Sequence, residues 1–144
     1  MRMLPLLLVA FCAKAAPVDP LAQWGQWRGP LGTGAALKAD PPTKWDKETN
    51  MRWKTRIPGQ GHASPVVWGE DVFLTTAETV GEKLVVPKQP PDAHNNMDPD
   101  HKMLFQVVAL SRKTGKFHWQ TTVRQAQPHQ STHESGTWAS NSPV

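Results

Sequence analysis

Ala109-Leu110-Ser111-Arg112-Lys113-Thr114-Gly115-Lys116-Phe117-His118-Trp119 is the stretch whose reading decides the fold. It reads as strand, tight turn, strand. The run from Met103 to Leu110 is apolar and β-branched around a single Gln, which suits a buried strand. Thr114-Gly115 supplies the turn, because Gly takes positive φ without a Cβ penalty. Side chains alternate along a strand, so Phe117 and Trp119 share one face of the returning strand.

Outward from this hairpin the sequence repeats itself. Trp53-Lys54-Thr55-Arg56-Ile57 matches Trp119-Gln120-Thr121-Thr122-Val123. A Gly- and His-bearing loop follows each copy, then Ser64-Pro65-Val66 after the first and Ser142-Pro143-Val144 after the second. Trp119 follows Trp53 by 66 residues, more than the roughly 40–50 of a four-stranded repeat unit. The surplus lies in residues 78–102, which are polar and carry Pro87, Pro90, Pro91 and Pro99; this region reads as an insertion loop. The expected strands are Arg52 to Ile57, Pro65 to Trp68, Val72 to Thr76, Met103 to Leu110 and Lys116 to Val123. The last four form two hairpins, around Gly69-Glu70-Asp71 and Thr114-Gly115. Residues 65–123 then make one four-stranded unit, and residues 137–144 start the next.

The flanks differ in character. Arg2, the apolar run Leu4 to Ala13 and the Ala13-Lys14-Ala15 pattern read as a signal peptide over residues 1–15. The run is too short for a stable membrane span. Cys12 is the only cysteine and lies inside it, so an exported mature chain holds no disulfide. Acylation of Cys12 is a weaker alternative, because Phe11 stands where a small residue is expected. Losing Arg2 and Lys14 takes the formal charge from +4 to +2. With Lys and Arg scattered, nothing points to nucleic acid. Residues 16–50 form an arm rich in Trp, Gly and Pro without periodicity, whose Trp residues would cover the edge of the domain. Fourteen Pro and ten Gly fit short strands and long loops better than helices.

Ala109 to Trp119 resembles the A-L-D-x-x-T-G-x-x-x-W signature of quinoprotein-like (PQQ-binding-like) β-propeller repeats, with Ser111 where the family usually has Asp. Gln23 to Gly34 resembles the W-x-x-F-R-G-P-x-G-x-G opening of exported members of planctomycete type, with Trp27 for Phe. Gly59 to Val66 is similar to their G-R-G-H-S-S-P-V stretch. His133 to Val144 is similar to H-x-x-N-x-Y-A-S-x-T-P-V, with Trp138 for Tyr. The resemblance implies an all-β protein, a β-propeller of four-stranded blades. Of this ring the chain would carry the arm, one blade and the start of a second, in a truncated propeller over residues 51–144. Residues 52–57 would close the ring as a strand of the last blade. The resemblance also implies blade-docking roles for Trp53, Thr114, Gly115 and Trp119, with Trp53 docking on a blade that this chain does not contain. His62, Ser64, His133 and Trp138 would lie on loops facing the central channel.

Candidate chemistry is sparse. His129-x-x-x-His133-Glu134 has helical spacing but a loop setting, and lacks the H-E-x-x-H order of a metalloprotease. His94 and His101 flank Asp98 and Asp100 in the insertion, which reads as a solvated loop. Gly29, Gly32 and Gly34 lack the preceding strand and following Lys of a phosphate loop. No nucleophile elbow or paired-carboxylate signature occurs, so no catalytic, cofactor-binding or metal residue is assigned. The expectation is an exported, non-catalytic scaffold, periplasmic or extracellular, attached to a membrane only through its leader or an acylated Cys12. Its partners would be the remaining blades and other envelope proteins. The alternative is a fragment of a PQQ-dependent dehydrogenase acting on alcohols or sugars, which would need the quinone and calcium.

Overall fold

A computed structural model describes residues 17–144 apart from 38, 88, 91–93 and 95. The expected leader, residues 1–15 with Cys12, lies outside the described residues. Six strands form: β1 (Val66–Trp68), β2 (Asp71–Val80), β3 (Asn96–Met97), β4 (Lys102–Ser111), β5 (Phe117–Ala126) and β6 (Thr132–His133). The described chain is all-β; its one helical element is a 3₁₀ turn at Pro20–Ala22.

The main sheet has the order β1-β2-β4-β5, a four-stranded meander whose neighbours all run antiparallel. The two expected hairpins form. Gly69, at φ 59°, is the first of two residues linking β1 to β2. Gly115, at φ 69°, closes the β4–β5 turn, and both positions favour glycine because a Cβ is strained there. β2 runs on to Val80, with Glu78 opposite Leu104 and Val80 opposite Lys102. The insertion expected over residues 78–102 is therefore shorter, because the backbone of β2 keeps pairing where its side chains turn polar.

Register divides the sheet into two faces. Val66, Phe73, Ala109 and Trp119 are successive partners across the strands and share one face. Leu74, Val108, Thr76, Gln106 and Leu110 lie on the other. Val108 and Ala109 are 0 % exposed and Leu110 2 %; burying a Val or Leu side chain contributes about 1.5–3 kcal/mol. Gln106 is also buried. Its amide donates to Thr122 Oγ1 (3.3 Å) and accepts from Gln120 Nε2 (2.8 Å), which offsets its desolvation.

Two irregular segments are bonded to β2. Thr76, on the second face, donates from its hydroxyl to Pro58 O (2.6 Å), and Gln60 exchanges two backbone bonds of 2.9 Å with Ala77. Thr75, on the first face, donates to Asn141 O (3.2 Å). Neither residues 52–57 nor residues 137–144 enter a strand ladder; both are held by scattered hydrogen bonds instead.

The insertion is tied down rather than freely solvated. β3 pairs with β6, Asn96 opposite His133 and Met97 opposite Thr132. Leu84 N donates to Asp100 O (2.6 Å), and Lys83 pairs with the Asp100 carboxylate at 2.8 Å. His101 Nδ1 lies 2.7 Å from the other Asp100 oxygen. These two partners, Lys83 first, hold the Asp100 carboxyl below the usual carboxylate value. The arm covers an edge as expected: Trp24 exchanges backbone bonds with Val67 of β1 (3.0 and 2.7 Å), and Gly25 lies against the Trp68 ring. Trp27 and Trp45 stay largely in solvent, at 62 % and 70 % exposed.

Candidate functional site

Two regions contain the residues singled out from the sequence. The first is the β4–β5 turn. Ser111 O accepts from Gly115 N (2.8 Å) while Ser111 Oγ accepts from Thr114 N (3.2 Å). The serine hydroxyl thus fastens the turn locally, an interaction open to any short side chain bearing an oxygen. Thr114 Oγ1 in turn accepts from Lys116 N (3.3 Å).

Trp53 packs against this turn. Its indole lies so close to Gly115 that a Cβ there would come within 2.5 Å of the ring, and within 2.7 Å of Thr55 Oγ1. Trp53 Nε1 donates to Arg112 O (3.0 Å) and Thr55 Oγ1 to Gly115 O (2.7 Å). The expectation that Trp53 docks outside this chain is corrected: its partner is the hairpin that carries Trp119. The reason is steric and electrostatic. Gly115 without a Cβ and the free carbonyls of the turn make a flat, accepting surface for an indole. Trp119 has no such partner. It is 45 % exposed, tilted against Phe73 at a centroid distance of 6.0 Å, and its indole N–H bonds nothing among the described residues.

The second region joins the two Ser-Pro-Val stretches. His62 N donates to Ala139 O (3.1 Å) and Ser64 N to Ser142 Oγ (2.9 Å). Residues 62–64 and 139–142 therefore lie side by side. Beside them is a cleft of about 620 Å³ lined by His62, Thr75, Thr76, Glu134, Ser135 and Thr137 among others. His62 is exposed at its wall. Ser64, His133 and Trp138 are not lining residues of this cleft. His133 Nδ1 accepts from Ser135 N (3.1 Å) and meets Ser135 Oγ at 2.8 Å, so that nitrogen serves the loop. Trp138 donates from Nε1 to Gln130 O (3.0 Å) and is half-buried. Of the four residues expected on channel-facing loops, His62 lines this cleft and Trp138 an adjoining one with Gln60 and Thr137.

Glu134 is the single carboxylate in that wall. Calcium takes 6–8 oxygen ligands, several of them carboxylates in its protein sites, and this donor set does not fit it. Among the described residues no three His, Cys, Asp or Glu side chains gather as a metal-binding group. The cleft offers hydroxyls, backbone groups and an imidazole, which suit hydrogen bonding to a polar ligand. Sequence reasoning missed Thr55 and the Arg112 carbonyl as partners in the Trp53 contact. The matching Thr121 two residues after Trp119 was the available signal for Thr55.

Compared with family models, curated proteins and solved structures, the chain matches none of them. Among the described residues no helix is long and apolar enough to cross a membrane.

Proposed function

We propose that the chain is the N-terminal part of an exported, non-catalytic PQQ-like β-propeller repeat protein that acts as a scaffold for protein or ligand contacts. The observation that carries this reading is the Trp53 contact. A Trp of one repeat lies on the Thr-Gly turn of the next, donating to Arg112 O and covering Gly115. That is the docking expected between neighbouring blades if residues 52–57 belong to the last blade of a ring.

Two further features support the reading. The side chains of Thr75 and Thr76, on opposite faces of β2, bond a segment that follows the meander and one that precedes it, which fits a blade held by chain from both sides. The two Ser-Pro-Val stretches run side by side, as the innermost strands of adjacent blades do around a channel. A full ring of 4–8 blades needs on the order of 200–400 residues. The partners are then the remaining blades and other envelope proteins, and the location, periplasmic or extracellular, follows from the leader-like sequence of residues 1–15.

The test is enzymatic. The full-length protein, supplied with pyrroloquinoline quinone and Ca²⁺, is assayed for dye reduction with alcohols and sugars. The scaffold reading predicts no turnover above the quinone blank. Clear turnover overturns it in favour of a dehydrogenase.

A further inference from the structure

The arm and β1 enclose a second cleft, of about 460 Å³, within the size range of small-molecule sites. Its walls are Leu21, Trp24, Leu31, Leu37 and Val67, with Arg112 at one side. The geometry points to this cleft as a binding site for a single-chain alkyl carboxylate, the chain lying along the leucines and the carboxylate on Arg112.

The cleft is built, not incidental. Trp24 is fixed to Val67 by two backbone bonds, and Gln23 Oε1 accepts from Gly69 N (2.8 Å). Gly29 takes φ 74° and lets the Trp24 ring approach where a Cβ would sit 2.6 Å away. Apolar surface nevertheless stays in water: Leu21 is 67 % exposed, Leu31 53 % and Leu37 80 %. An alkyl chain would cover that surface.

Charge selects the head group. Arg112 and Asp19 are the charged lining residues. Asp19 carries a negative charge while accepting from Leu21 N (3.0 Å), so the lining carries one charge of each sign and an anionic head group must sit on the Arg112 side. The Arg112 guanidinium makes only a long contact of 3.5 Å to Gly69 O, and among the described residues no carboxylate lies within ion-pair distance of it. A guanidinium with an open fork pairs well with a carboxylate. An apolar groove with one uncommitted cation at its side thus fits an amphipathic monoanion better than a neutral or cationic chain. The proposal is independent of the ring reading, because arm, β1 and Arg112 all belong to this chain.

Calorimetric titration of the 144-residue protein with decanoate, below its micelle concentration, tests this, with decanol as the uncharged control. Saturable binding of decanoate, tighter than decanol, is expected. Arg112→Gln should weaken decanoate roughly tenfold and leave decanol unchanged, and Leu37→Glu should weaken both. Both positions are exposed, and unchanged circular dichroism checks that each variant folds. Absence of saturable decanoate binding overturns the proposal, and so does an Arg112→Gln variant that binds decanoate as tightly as the parent.

Discussion

Trp53 and Trp119 open the same five-residue pattern and have opposite surroundings. Trp53 lies on Gly115 with its N–H on Arg112 O. Trp119, 45 % exposed, leans on Phe73 with its N–H unpaired among the described residues. The two copies share their Trp and the Thr two residues on, and differ in what faces the indole. An indole of this pattern is a plug, and its environment is decided by whether a Gly-bearing turn is presented to it. The Trp53 segment shows the ring seated on such a turn, and Trp119 shows the ring without one.

Substitutions can break or sharpen this contrast. The largest effect is expected at the socket. Gly115→Val adds a β-branched residue at positive φ and drives it into the Trp53 ring, at a cost of about 4 kcal/mol. Urea unfolding with Trp fluorescence measures it. A loss below about 1 kcal/mol would mean that Trp53 is not seated.

Trp53→Ala comes next, at about 3 kcal/mol, and should make Gly115→Val cost less in the double variant than in the parent, because the clash with the ring is gone while the positive-φ strain remains. Thr55→Val leaves the shape and deletes one hydrogen bond to Gly115 O, costing about 1 kcal/mol. Trp119→Ala in this chain should cost less than about 1 kcal/mol, since the ring is half in water. Equal losses at Trp53 and Trp119 would erase the contrast.

The smallest effect is in the insertion. Lys83 and His101 hold the Asp100 carboxyl below its usual 3.8. A lowered folded value means that the ionised form is the one favoured by folding. Its contribution is fully present above the usual value and is lost as pH falls through the lowered one. Amide exchange at Leu84, bonded to Asp100 O, should therefore quicken only in strong acid, and Asp100→Asn should flatten that dependence. Unchanged exchange in the variant would show that the backbone bond alone holds the loop.

How much of this was legible follows from what each element is made of. The four strands carry their own signal: apolar β-branched runs, with Gly69 and Gly115 at the turns. β2 outran its reading because Glu78 and Thr79 look like loop residues, while the pairing that extends it is made by backbone. β3 and β6 are two residues each and carry no period to detect. The Trp53 contact was legible at Trp53 and at Gly115 separately. Their union was not, since the acceptor is a main-chain carbonyl and the platform is a missing side chain. At the candidate cleft, His62 announced itself through its loop. Glu134, Ser135 and Thr137 joined it only because residues 139–142 lie beside residues 62–64, a pairing between distant segments.

A crystal structure of the full-length protein tests the central claim most directly, through the surroundings of Trp119. The propeller account predicts that Trp119 lies on the Thr-Gly turn of a following blade, its Nε1 donating to the carbonyl equivalent to Arg112 O, as Trp53 does here. A full-length structure in which the four-stranded sheet stands alone, with Trp119 still open to solvent, would contradict it.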